Sequence, residues 1–172
     1  MKIFKLLIIA IAVTTLSSCS SDDDSPRVEL TLENVAGTYQ ITLLNTSFEL
    51  SRTASNGEEV VIETETCEGD TFNSTRLILN ADGTFTTTGS YREICELRID
   101  GNTTTEDPEI VPFENSGSYS VNDTNNTFTL GGLVSDVVRF DDNRLYLLRS
   151  ETDTFEDETE SFEVEIRFER VN

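Results

Sequence analysis

Three cysteines, four tyrosines and thirty-three carboxylates carry most of the reactive chemistry in this 172-residue chain, which has no histidine. Its two lysines, Lys2 and Lys5, both lie in the first five residues. Without histidine there is no Ser-His-Asp or Cys-His nucleophile and no His-ligated zinc or haem. A chain that loses its first residues also has no lysine for a Schiff base. Carboxylate catalysis survives on inventory, but glycoside hydrolysis needs two such groups at a set separation across a cleft, and no local pattern marks a pair. The densest run, Asp153–Glu160 (DTFEDETE), offers oxygen ligands for Ca2+. It lacks the alternating acids and central glycine of a tight calcium loop, so it reads as a solvated loop. The expectation is a non-enzymatic protein with no catalytic residue, no metal site and no cofactor.

The first cysteine has a specific setting. Lys2 and Lys5 precede the apolar run Leu6–Val13, LLIIAIAV. As a helix this run reaches about 12 Å, against about 30 Å of membrane hydrocarbon, so it fits the core of a secretory signal and not a span. Leu16-Ser17-Ser18-Cys19 follows. A large apolar residue, two small ones and a cysteine resemble the lipobox of bacterial lipoproteins. The resemblance implies a signal peptide over residues 1–18, cleavage before Cys19, diacylglycerol on its thiol and acylation of its new amine. Membrane lipid is then the expected partner, held by acyl chains worth about 0.8 kcal/mol per buried methylene. In many diderm bacteria an aspartate close behind that cysteine retains the protein at the inner membrane. Ser20-Ser21-Asp22-Asp23-Asp24-Ser25-Pro26 resembles instead a surface-export signal of outer-membrane lipoproteins in one group of such bacteria. The expected placement is the outer membrane, facing the exterior. Residues 19–33 read as an acidic tether too polar to order itself.

The processed chain would carry ten arginines against thirty-three acids, a net of −23. Such a surface repels nucleic acid, which is excluded as a partner. Residues 34–172 suit one domain able to bury about 68% of its unfolded surface. Its periodicity is two. Phe162, Val164, Ile166 and Phe168 alternate with Glu163, Glu165, Arg167 and Glu169, as an antiparallel strand with one wet face requires. Tyr39-Ile41-Leu43, Leu77-Leu79, Cys95-Leu97-Ile99, Tyr119-Val121, Phe128-Leu130, Val138-Phe140 and Leu145-Leu147 repeat the pattern. Asp82-Gly83 is a hairpin signal, and Gly131-Gly132 and the Asn122–Asn126 run supply further turns. No ten-residue stretch reads as an amphipathic helix, and at most one turn fits Thr31–Ala36. The expectation is an all-β fold of about 8–10 antiparallel strands, an up-and-down barrel or, alternatively, a β-sandwich.

Gly37-Thr38-Tyr39, Cys67-Glu68-Gly69-Asp70, Asn80-Ala81-Asp82-Gly83-Thr84-Phe85, Cys95 and Gly117-Ser118-Tyr119-Ser120-Val121 run in order along residues 34–172. Together they resemble the lipocalin-like lipoproteins of environmental and gut bacteria. The resemblance implies a barrel with a pocket at one end. Tyr39 stands where lipocalins carry a tryptophan, and Arg167 or Arg170 is available to stack on it.

Cys67 and Cys95 remain once Cys19 is lipidated. An even pair in an oxidising compartment, far apart and among carboxylates, reads as a structural disulfide worth about 3–4 kcal/mol. Tyr91, Tyr119 and Tyr146 are candidates for lining a ligand cavity and serve equally well as core. The leading functional expectation is a surface lipoprotein whose barrel binds a small apolar or amphipathic ligand. The alternative is an accessory surface lipoprotein acting through protein contacts, its partner unspecified.

Overall fold

The computed structural model describes residues 28–171. A single helical turn, α1 (Leu32–Val35), precedes ten strands: β1 (Gly37–Thr53), β2 (Glu59–Leu79), β3 (Thr84–Ile99), β4 (Asn102–Thr105), β5 (Glu109–Pro112), β6 (Asn115–Asn122), β7 (Thr127–Leu130), β8 (Leu133–Phe140), β9 (Arg144–Phe155) and β10 (Glu158–Arg170). Each strand pairs antiparallel with its neighbours. β1 has β2 on one side and β10 on the other, and the path β10-β9-β8-β7-β6-β3 returns to β2 through a β2–β3 pairing. Eight strands therefore close an up-and-down ring. A two-layer sandwich would leave edges where this ring has hydrogen bonds, so the barrel is the architecture present. β5 and β4 continue the line of β6 along β3, pairing with Ser90–Glu93 and Glu96–Ile99. Pro112 ends β5, in a piece of edge strand where its missing N–H costs no ladder bond.

The walls differ in height. β6, β7 and β8 have 8, 4 and 8 residues, whereas β1, β2 and β3 have 17, 21 and 16. The ring is closed only at the end where the short strands lie, and there the core collects. Tyr39, Ile41, Leu77, Leu79, Phe85, Tyr119, Phe128, Leu145 and Phe168 are all buried. At about 1.5–3 kcal/mol for each large side chain, their burial is the main force holding the ring shut. α1 covers this end. Thr31 caps it by accepting from the Asn34 N–H at 3.2 Å, and Val35 beneath is fully buried. Leu30 is buried as well, and its N–H donates to Asp123 Oδ1 at 3.0 Å. The folded unit thus reaches back past the domain start at residue 34 that the composition suggested. The residues read as a signal segment, Cys19 and most of the proposed tether lie outside the described residues.

Two bulges correct the simple alternation. Ile41 pairs with Phe168 but Leu43 with Arg167, so Thr42 is extra and Leu44, not Leu43, is buried inward. β8 slips between Val137 and Arg139. Val137 is buried while Val138, expected on the apolar face, is 64% exposed. A third irregularity bends β2 at Asn73–Arg76 opposite Gly89, whose φ is +100°. A Cβ on Gly89 would sit 2.7 Å from the Asn73 and Ser74 carbonyls, so only glycine lets the two backbones approach there.

The Asp153–Glu160 run is a further correction: only Glu156 and Asp157 form a turn, and the rest is strand. β9 and β10 pair as far as Phe155 and Glu158 around a two-residue turn, and Arg52 of β1 pairs with Glu158 and, at 3.7 Å, Asp157. Both faces of the sheet are wet at that height. The period-two apolar signal therefore disappears although the ladder continues.

Candidate functional site

Three features stand along the inner face, from closed end to open end: a polar clamp, an apolar cup and an acidic shelf. The clamp is made by Arg170 near the end of β10. Its guanidinium lies over the Tyr39 ring at 5.1 Å, donates to the Tyr39 hydroxyl at 2.6 Å, and reaches the carbonyls of Asn34 and Ala36 at 2.8 and 3.2 Å. The Tyr39 hydroxyl in turn donates to the Val35 carbonyl at 2.8 Å. First strand, last strand and α1 are joined by one arginine. Burial pushes the Tyr39 phenol above its usual range, and the adjacent Arg170 charge only partly offsets this. Arg167 points to the other face and lies 5.3 Å over Tyr146.

Above the closed core the short wall stops at the β7–β8 turn, where Gly131 (φ +58°) and Gly132 (φ +90°) allow a two-residue hairpin. The strands opposite continue. Their inward residues then have no partner across the barrel, and a cavity of about 250 Å3 opens. Leu130, Leu147, Val164 and Ile166 give it apolar walls, Ser135 adds a hydroxyl, and Leu133 beside the turn, Arg149 and Phe162 stand higher. Arg149 is the cation here. Its Nε donates to Glu151 at 2.8 Å and its guanidinium lies 5.9 Å over Phe162. The cup is smaller than most drug-sized sites and suits a short chain or a single ring system.

Beyond Phe162 the same face opens into a depression of about 420 Å3 lined by Phe48, Glu151, Thr152, Asp153, Glu160 and Phe162. Register explains the grouping. Phe162 lies opposite Phe48 on one side and Glu151 on the other, and Glu160 lies opposite Asp153.

The disulfide expected between Cys67 and Cys95 is present, bridging directly paired residues of β2 and β3 with their Cα atoms 4.1 Å apart. Glu65 lies beside it, but with both sulfurs bonded to each other no thiolate is left to hold a metal. Nearby, burial pushes the Glu93 carboxyl up, and the charges of Glu109 and Glu65 push the same way.

The three tyrosines considered for a cavity are scattered. Tyr91 is half-buried, its ring 6.3 Å from Phe72 on the inner face, away from the cup. Tyr119 belongs to the closed end. It stacks 5.5 Å from Phe128 and donates to the Asn80 carbonyl at 2.7 Å, and burial, helped by Tyr39 and Asp82, pushes its phenol up to about 12. Tyr146 alternates with the inward Leu145 and Leu147. It therefore faces outward, with Arg139 over its ring at 5.9 Å as well as Arg167. None of the three lines the cup. Its lining was visible in the sequence only as strand residues. The signal that distinguishes them is unequal strand length, a four-residue β7 facing strands three times as long.

Compared with protein-family models, curated proteins and solved structures, the chain matches none.

Proposed function

We propose that this chain is a lipid-anchored surface lipoprotein whose barrel binds a small apolar or amphipathic molecule in the cup above the closed core. The cup carries the reading. Apolar walls that the short strands leave uncovered expose surface that water solvates poorly, and a molecule with a short hydrocarbon part gains about 25 cal/mol for each Å2 it removes from water there. The lipocalin-like order of motifs and the Tyr39–Arg170 clamp support the same reading. The anchor rests on the sequence Leu16-Ser17-Ser18-Cys19, and outward placement on the serine-aspartate run behind it.

The test is a titration with the neutral fluorescent dye N-phenyl-1-naphthylamine. Saturable one-to-one binding is expected, weakened about ten-fold or more in Ser135→Phe, which fills the cup. Absence of saturable binding, or equal affinity in both proteins, counts against the cup. The anchor is tested separately by the mass of the mature protein: Cys19→Ala should abolish acylation and release the chain from membranes.

One observation favours a second reading, protein contact at the distal end of the tall wall. Val60, Val61, Ile99 and Phe155 are all exposed there, Phe155 by 75%. Crosslinking in intact cells that captures one partner, and loses it in Phe155→Ser, would support that reading.

A further inference from the structure

We infer that the molecule held by the cup is an amphipathic cation, its apolar part in the cup and its positive head on the shelf above; this rests on the cup reading. The two depressions meet at Phe162, which lines both. An occupant long enough to leave the cup therefore passes onto the shelf. There it meets two aromatic side chains set opposite each other on adjacent strands, Phe48 and Phe162, the second already carrying the Arg149 guanidinium 5.9 Å over its ring. A cation over the Phe48 ring is attracted by its quadrupole.

The charges on the shelf point the same way. Arg149 is held by Glu151, and among the described residues no arginine is paired with Asp153 or Glu160. Those two carboxylates lie directly opposite one another across β9 and β10. Like charges in that position repel, and a cation between them relieves the repulsion. An anionic head would add to it, and a neutral head would leave it unchanged. The field of the whole chain, with a net charge of −21, also draws cations towards the mouth.

The experiment is calorimetric titration of the full chain, carrying Cys19→Ser so that no acyl group is attached, with three ligands of equal tail. These are octyltrimethylammonium, octanol and octanoate, each below its micelle concentration. The cation is expected to bind about ten-fold tighter than octanol, with octanoate weakest. Its advantage over octanol should shrink towards one in the Asp153→Asn/Glu160→Gln double variant and fall with added salt. The single variant Glu160→Gln, read alongside its thermal midpoint, guards against misfolding of the double. If all three ligands bind equally, the headgroup assignment is wrong and the cup stands. If octanol as well as the cation fails to bind, the cup reading falls and the headgroup assignment with it.

Discussion

Arg170 concentrates more of the closed end than any other side chain, because its guanidinium serves two carbonyls and the Tyr39 hydroxyl at once. Arg170→Ala leaves those acceptors unpaired beneath α1, and a loss of about 2–4 kcal/mol is expected in urea unfolding. Arg167→Ala, on the outer face, should cost well under half of that. Tyr119 makes a pH prediction. Its phenol is pushed from 10 to about 12 in the folded state, so the folded protein keeps the proton that the unfolded chain releases. The stability this contributes is complete below pH 10 and is lost as pH rises through 12. Tyr119→Phe, which removes the hydrogen bond to the Asn80 carbonyl, should cost about 1 kcal/mol at neutral pH and show a shallower alkaline decline in thermal midpoint. At this scale the sequence was informative where chemistry is short-range. An arginine on the last strand was expected to stack on Tyr39, and Arg170 does. It misled at Leu43, Val138 and Tyr146. The first two turn on single-residue bulges, which shift every later side chain to the other face and leave no compositional trace. Tyr146 is aromatic on the wet face because two arginines cover it.

Among the elements, the β2–β3 pair is tied most firmly. Its disulfide joins directly opposite residues on the tall wall, above the level where core burial holds the ring. Reduction, or Cys67→Ala with Cys95→Ala, is expected to lower stability by about 3–4 kcal/mol in urea unfolding, and unchanged midpoints would refute a structural role. The β9–β10 hairpin shows why element boundaries were harder to read than element type. Phe162 to Phe168 alternate cleanly because one face is apolar, and that stretch of β10 was legible. The acidic run before it pairs just as regularly with both faces in water, where no pattern of apolar residues is needed to hold the register. β4 and β5 were invisible for the same reason: with one partly covered exception, Val111, their residues are exposed.

Over the whole molecule, unequal strand heights turn a filled barrel into a barrel with a cup. The period-two pattern conveyed that the apolar residues enclose one another, but not that the enclosure ends early on one side, because strand ends on wet surfaces carry no signal. Charge is the second global property. Thirty-three acids against twelve bases repel one another in the compact state. Raising salt from about 0.01 M to about 0.15 M should therefore increase the thermal midpoint by screening that repulsion. A midpoint that falls over this range would mean that attractive ion pairs, such as Arg92 with Asp70, dominate instead.

The central claim is that the space above the closed core is a binding site, and methyl-resolved NMR during titration with N-phenyl-1-naphthylamine tests it most directly. The account predicts saturable shifts at the methyls of Leu130, Leu147, Val164 and Ile166, with those of Leu79 and Val35 at the sealed end unmoved. Shifts confined to Val60, Val61 and Ile99 at the distal rim, or no saturable shift anywhere, would contradict it.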